Sequence, residues 1–80
     1  MSIDDFKENV ITDDVAFKYN NKEYFIFLFG TGFTAGEYGA DKDTKFDKHK
    51  DIYKNRDDML SNWIIEDKLL KDVISDIEVI

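Results

Sequence analysis

Apolar and polar residues alternate along Val15-Ala-Phe-Lys-Tyr19, with Val15, Phe17 and Tyr19 on one side and Ala16 and Lys18 on the other. A period of two predicts a strand with one buried face. Asn20-Asn21 follows, and asparagine tolerates the positive φ that a tight hairpin turn requires. The next run, Glu23-Tyr-Phe-Ile-Phe-Leu-Phe29, is apolar on both faces, which predicts a strand central in a sheet or covered on both sides. Gly30-Thr31-Gly32 supplies a second turn, and Phe33 to Tyr38 reads as a third strand. Two successive hairpins make an antiparallel meander.

Helical spacing flanks this core. Ile3, Phe6, Val10 and Ile11 form an i, i+3, i+7, i+8 stripe behind Ser2, a residue suited to capping, with Asp5 in the reciprocal position. A helix is expected over residues 3–11. Near the other end Met59, Leu60, Trp63 and Ile64 share one helical face, in a helix that begins at Asp57. Asp67 is placed to cap a second short helix carrying Leu69, Leu70, Val73 and Ile74. The alternation of Ile77 and Val79 favours a final edge strand over a continued helix at residues 76–80.

Between these parts, Gly36 and Gly39 predict a bulge or a bend out of the sheet. Residues 41–56 fit either helix or loop, with a short edge strand at Thr44-Lys45-Phe46. The expected fold class is therefore α+β. Its architecture is an antiparallel meander sheet of three to five strands with helices packed on one face, in the order α-β-β-β-loop-α-α with a possible C-terminal edge strand. The chain has 80 residues, enough for one compact domain over 1–80 and too few for two.

Composition narrows the chemistry. There is no cysteine and one histidine, His49, so neither a disulfide framework nor a zinc finger is available, and no metal or cofactor is expected. Packing must hold the core, with seven Phe, four Tyr and Trp63 as its largest contributors. The stretch Met1-Ser-Ile-Asp-Asp-Phe6 lacks the basic and apolar regions of a secretory signal, and no apolar run approaches membrane length. A cytoplasmic protein that does not enter membranes is expected.

The net charge of −7 is distributed unevenly. Residues 1–14 carry five acids against Lys7, residues 59–80 carry five acids against Lys68 and Lys71, and residues 41–58 balance six acids with six bases. Such a chain repels nucleic acid and favours partners with basic surfaces.

Tests for catalytic motifs fail. Gly30, Gly32 and Ala35 fit a dinucleotide-binding spacing, but that spacing works only where a helix begins, and here a hairpin explains it. Counting a calcium loop from Asp41 puts Lys45, Phe46 and Ile52 where an oxygen ligand, glycine and glutamate are required. His49 stands between two lysines, and Ser2, Ser61 and Ser75 lie outside any nucleophile elbow. The pairs Asp13-Asp14 and Asp57-Asp58 fall where turns or caps are expected.

The expected function is protein binding without catalysis: a small acidic inhibitory protein, bacterial or phage in type, that occludes a basic surface of a partner. Immunity proteins of bacterial toxins and DNA-imitating phage inhibitors have a similar general profile, in composition alone. The alternative is a structural or oligomerising module, suggested by the excess of aromatics along residues 17–38. The chain is then a monomer or a homodimer. The loop leaving the third strand is the expected partner surface, with Glu37, Tyr38, Asp41, Asp43 and Asp47 combining acid and aromatic beside flexible glycines.

Overall fold

The computed structural model describes all 80 residues. The element order is α1 (Ile3–Val10), β1 (Val15–Tyr19), β2 (Lys22–Phe29), β3 (Gly32–Glu37), β4 (Asp43–Phe46), α2 (Ile52–Asn62), β5 (Ile64–Ile65), β6 (Lys68–Leu69), α3 (Leu70–Val73), a 3₁₀ turn at Ile74–Asp76, and β7 (Glu78–Val79). Five strands form one antiparallel sheet in the order β4-β3-β2-β1-β7. The meander, the short fourth strand and the C-terminal edge strand all appear as the alternation predicts. β2 is the middle strand, as its two apolar faces require.

Each turn follows from its residues. Asn20 and Asn21 both adopt positive φ, 55° and 65°, and Gly30 does so in the β2–β3 turn at 60°. The Gly30–Gly32 segment is therefore a hairpin turn. Gly36 forms no bulge and keeps its ladder position opposite Phe25 and Asp43. The bend comes at Gly39, in the turn that leaves β3.

The core lies between one face of the sheet and the helices. Cross-strand partners share a face, and Val15, Phe17, Tyr24, Ile26, Phe33, Ala35 and Phe46 form the inner one, all buried. Against them pack Phe6 and Val10 of α1, Met59 and Leu60 of α2, and Leu70, Val73 and Ile74. Trp63 sets its ring edge-on to both Phe17 and Tyr24 at 6.1 Å, while those two stack at 5.4 Å. Ser2 caps α1, its Oγ accepting the Asp5 amide at 3.1 Å. Ile3 of the predicted stripe is exposed.

The C-terminal third departs from the helical reading. α2 starts at Ile52, with Asp51 as its cap accepting the Tyr53 amide at 2.8 Å, so residues 41–51 are strand and loop and Asp57 lies inside the helix. Trp63 ends α2, and Ile64 leaves the helical face for a two-residue hairpin where it is exposed. Asp67 caps nothing. It sits with Glu66 at positive φ, 69° and 49°, in the turn joining β5 to β6. An aspartate two residues before an apolar stripe has the same local signature in a cap and in a hairpin turn, and the pairing of Ile64 with Leu69 decides between them here.

Candidate functional site

The helices cover one face of the sheet, and no element lies over the other. Along β2 this outer face carries Phe25, Phe27 and Phe29, every second residue of the strand. The ladder partners on β3 are Gly36, Thr34 and Gly32, and those on β4 are Asp43 and Lys45. Asp47 extends the pattern: its Cβ lies 2.7 Å from where a Gly32 side chain would begin. Three parallel rows result, Phe25–Gly36–Asp43, Phe27–Thr34–Lys45 and Phe29–Gly32–Asp47, each an aromatic, a small residue and a charge.

The first and third rows differ in one respect. The tip of the Phe25 ring lies 2.8 Å from the position a Gly36 Cβ would take, so the ring fills the gap the glycine leaves. Phe29 stands away from the sheet, 81% exposed. Beside it lies a pocket of about 150 Å³, lined also by Gly32, Phe33, Thr34, Lys45 and Asp47.

Further aromatics and charges frame the stripe. Tyr38 packs against Phe25 at 5.2 Å between ring centres, and Phe25 stacks on Phe27 at 4.7 Å. Lys18, Glu23 and Glu78 occupy paired outer positions on neighbouring strands. Asp14 accepts the Leu28 amide at 2.8 Å beside β2. The outer face thus sets the carboxylates of Glu23, Asp43, Asp47 and Glu78 against the ammonium groups of Lys18 and Lys45. An apolar centre with an acidic rim is the result.

Of the residues expected at a partner surface, Tyr38, Asp43 and Asp47 border this stripe. Glu37 does not. It pairs with Tyr24 on the opposite face, where its charge adds to the rise in the Tyr24 pKa. Asp41 is exposed in the turn beyond Gly39, away from the ladder. Sequence reading missed Phe25, Phe27, Phe29 and the paired glycines as one surface. A signal was present, because the chain has apolar helical faces enough for one side of the sheet while β2 is apolar on two.

The ionisable groups with displaced pKa values lie elsewhere. Glu66 accepts from Asn20 Nδ2 at 2.7 Å and pairs with Lys22 at 3.2 Å. The Asn20 bond, then the Lys22 ammonium, lower the Glu66 pKa, and the same carboxylate raises that of Lys22. Burial raises that of Tyr24. This cluster ties the β1–β2 turn to the β5–β6 turn, which accounts for the shifts structurally. No three or more histidine and carboxylate side chains converge on a common point, and no helix is long and apolar enough to cross a membrane. Comparison with protein families, with curated proteins and with solved structures gives no match to this chain.

Proposed function

We propose that this chain is a small acidic binding protein, inhibitory in type, that masks an apolar patch ringed by basic residues on a partner protein. The outer face of the sheet is its contact surface. The single observation that carries this reading is the uncovered Phe25–Phe27–Phe29 stripe with its excess of carboxylates. Soluble proteins rarely leave contiguous aromatic surface open unless something covers it. Aromatic centres inside charged rims are the usual composition of protein-binding hot spots. The absence of cysteine goes with a cytoplasmic setting.

A second reading, self-association through the same face, draws on the same stripe. It is the weaker one, because two copies of net charge −7 would bring matching acidic rims together.

The test begins with capture of partners from cell lysate by the parent and by a Phe27→Ser/Phe29→Ser variant of unchanged fold. Stopped-flow association of the purified partner follows at two ionic strengths. The reading expects a basic partner bound by the parent alone, with an on-rate that falls as salt rises. The rate should fall less steeply for an Asp43→Asn/Asp47→Asn variant. Equal capture by the serine variant would overturn the reading. A dimer in sedimentation that the serine substitutions dissolve would replace it with self-association.

A further inference from the structure

The two glycine rows at the ends of the stripe are built alike and finished differently. In the Gly36 row the gap is occupied by a flat group, the chain's own Phe25 ring. In the Gly32 row the corresponding position is closed by Asp47, whose Cβ lies 2.7 Å from it, the Phe29 ring stays exposed, and a pocket opens beside the two. An acidic side chain closes each row, Asp43 in one and Asp47 in the other. A group that fills this pocket gains from lying flat along the exposed Phe29 ring and from the Asp47 carboxylate within reach.

We propose that this pocket is the socket for an arginine side chain of the partner, its guanidinium lying between the Phe29 ring and the Asp47 carboxylate. The inference rests on the reading of the outer face as a protein-binding surface. Guanidinium is planar, stacks on aromatic faces and pairs with carboxylates through fixed N–H donors, properties that ammonium lacks. The chain already uses this combination. Its own Arg56 holds its guanidinium carbon 5.3 Å from the centre of the Tyr53 ring while Nε lies 3.5 Å from Asp57. Thr34, in the lining of the pocket, adds a hydroxyl able to accept a further N–H.

Lys45 is the one group in the pocket wall that opposes a cation. Its ammonium ends a long flexible stem on an edge strand and can turn away into water. This opposition gives the test its sign, because removing the Lys45 charge should strengthen binding of arginine and weaken binding of any anion.

The experiment is an amide chemical-shift titration of the intact protein with N-acetyl-arginine-amide, beside the norleucine, tyrosine and glutamate counterparts. The arginine probe should move the amides of Gly32, Thr34 and Asp47 saturably and more than the other three do. Asp47→Asn should weaken it by roughly threefold to fivefold, the worth of an exposed ion pair. Lys45→Gln should strengthen it, and the unchanged dispersion of the spectra would show that both variants fold. Larger shifts from norleucine or tyrosine would overturn the arginine assignment in favour of an apolar anchor. So would an unchanged affinity in Asp47→Asn, or no shift from any probe. Each of these results leaves the outer face to be judged separately, by the serine variant and the salt dependence of association.

Discussion

Asn55 holds the backbone of His49 on both sides of its Cα: its Oδ1 accepts the His49 amide at 2.9 Å and its Nδ2 donates to the His49 carbonyl at 2.9 Å. The same Nδ2 also donates to the Thr31 carbonyl at 2.7 Å. Asn55 is fully buried and is the one polar residue of the core. It fastens the loop before α2 to the β2–β3 turn, and so fixes Asp47 beside Gly32.

Replacing Asn55 with Leu should therefore destabilise the fold by about 2–4 kcal/mol. The leucine would leave the His49 amide and two carbonyls without their partner at a part-buried site, and an unsatisfied group costs roughly 1–3 kcal/mol where water cannot reach it and less where it can. Urea denaturation measures the change. A loss under about 0.5 kcal/mol would show that water serves these groups as well as Asn55 does.

Trp63 and Ile64 are neighbours with opposite fates. Trp63→Ala should cost about 3–5 kcal/mol, because its ring meets Phe17 and Tyr24 in the centre of the core. Ile64→Ser should change stability by no more than about 0.5 kcal/mol, since that side chain is 64% exposed. Melting temperatures of the two variants compare them directly, and equal losses would place Ile64 in the core.

The two sheet glycines should respond differently to alanine. At Gly32 the new Cβ would meet Asp47 at backbone level, with Cα at 3.1 Å, and the loop would have to shift at a cost of about 1–3 kcal/mol. At Gly36 it would meet the tip of the Phe25 ring at 2.8 Å, which can swing outward. Gly36→Ala should thus be the milder change and should move Phe25 ring resonances in the NMR spectrum. A costlier Gly36→Ala would mean that the Phe25 ring is locked in place.

Stability should fall at both extremes of pH, for separate reasons. Glu66 has a lowered folded pKa, so its contribution is present above the unfolded value of about 4.3 and is lost as pH falls through the folded value. Glu66→Gln should weaken the protein near neutrality and converge with the parent in acid. Tyr24 has a raised folded pKa, chiefly from burial, so its contribution is complete below the unfolded value of about 10 and is lost as pH rises through the folded one. Lys22 acts in the same direction through Glu66. Tyr24→Phe should flatten the alkaline limb. Melting curves from pH 3 to pH 11 read both effects, and a gap between Glu66→Gln and the parent that persists in acid would assign the loss to packing.

The strands and their hairpins are legible in the chain. Strict alternation in residues 15–19 specifies the buried face of β1, since a slip by one residue would turn Phe17 to solvent, and the two asparagines and the glycine turn place the two hairpins. The capped first helix and the burial of Trp63 are legible there too. Packing between distant segments settles which side of β2 stays open. Alternate residues of an apolar strand look alike until the helices choose a face, and they chose Tyr24 and Ile26 over Phe25, Phe27 and Phe29. Packing likewise makes Glu66 and Asp67 the turn of a hairpin in which Ile64 pairs with Leu69, and Glu66 there reaches Asn20 and Lys22, 46 and 44 positions away in the chain. Local pattern carries periodicity and turn chemistry. Contacts between distant segments select among the folds that pattern leaves open, and the face left uncovered follows from that selection.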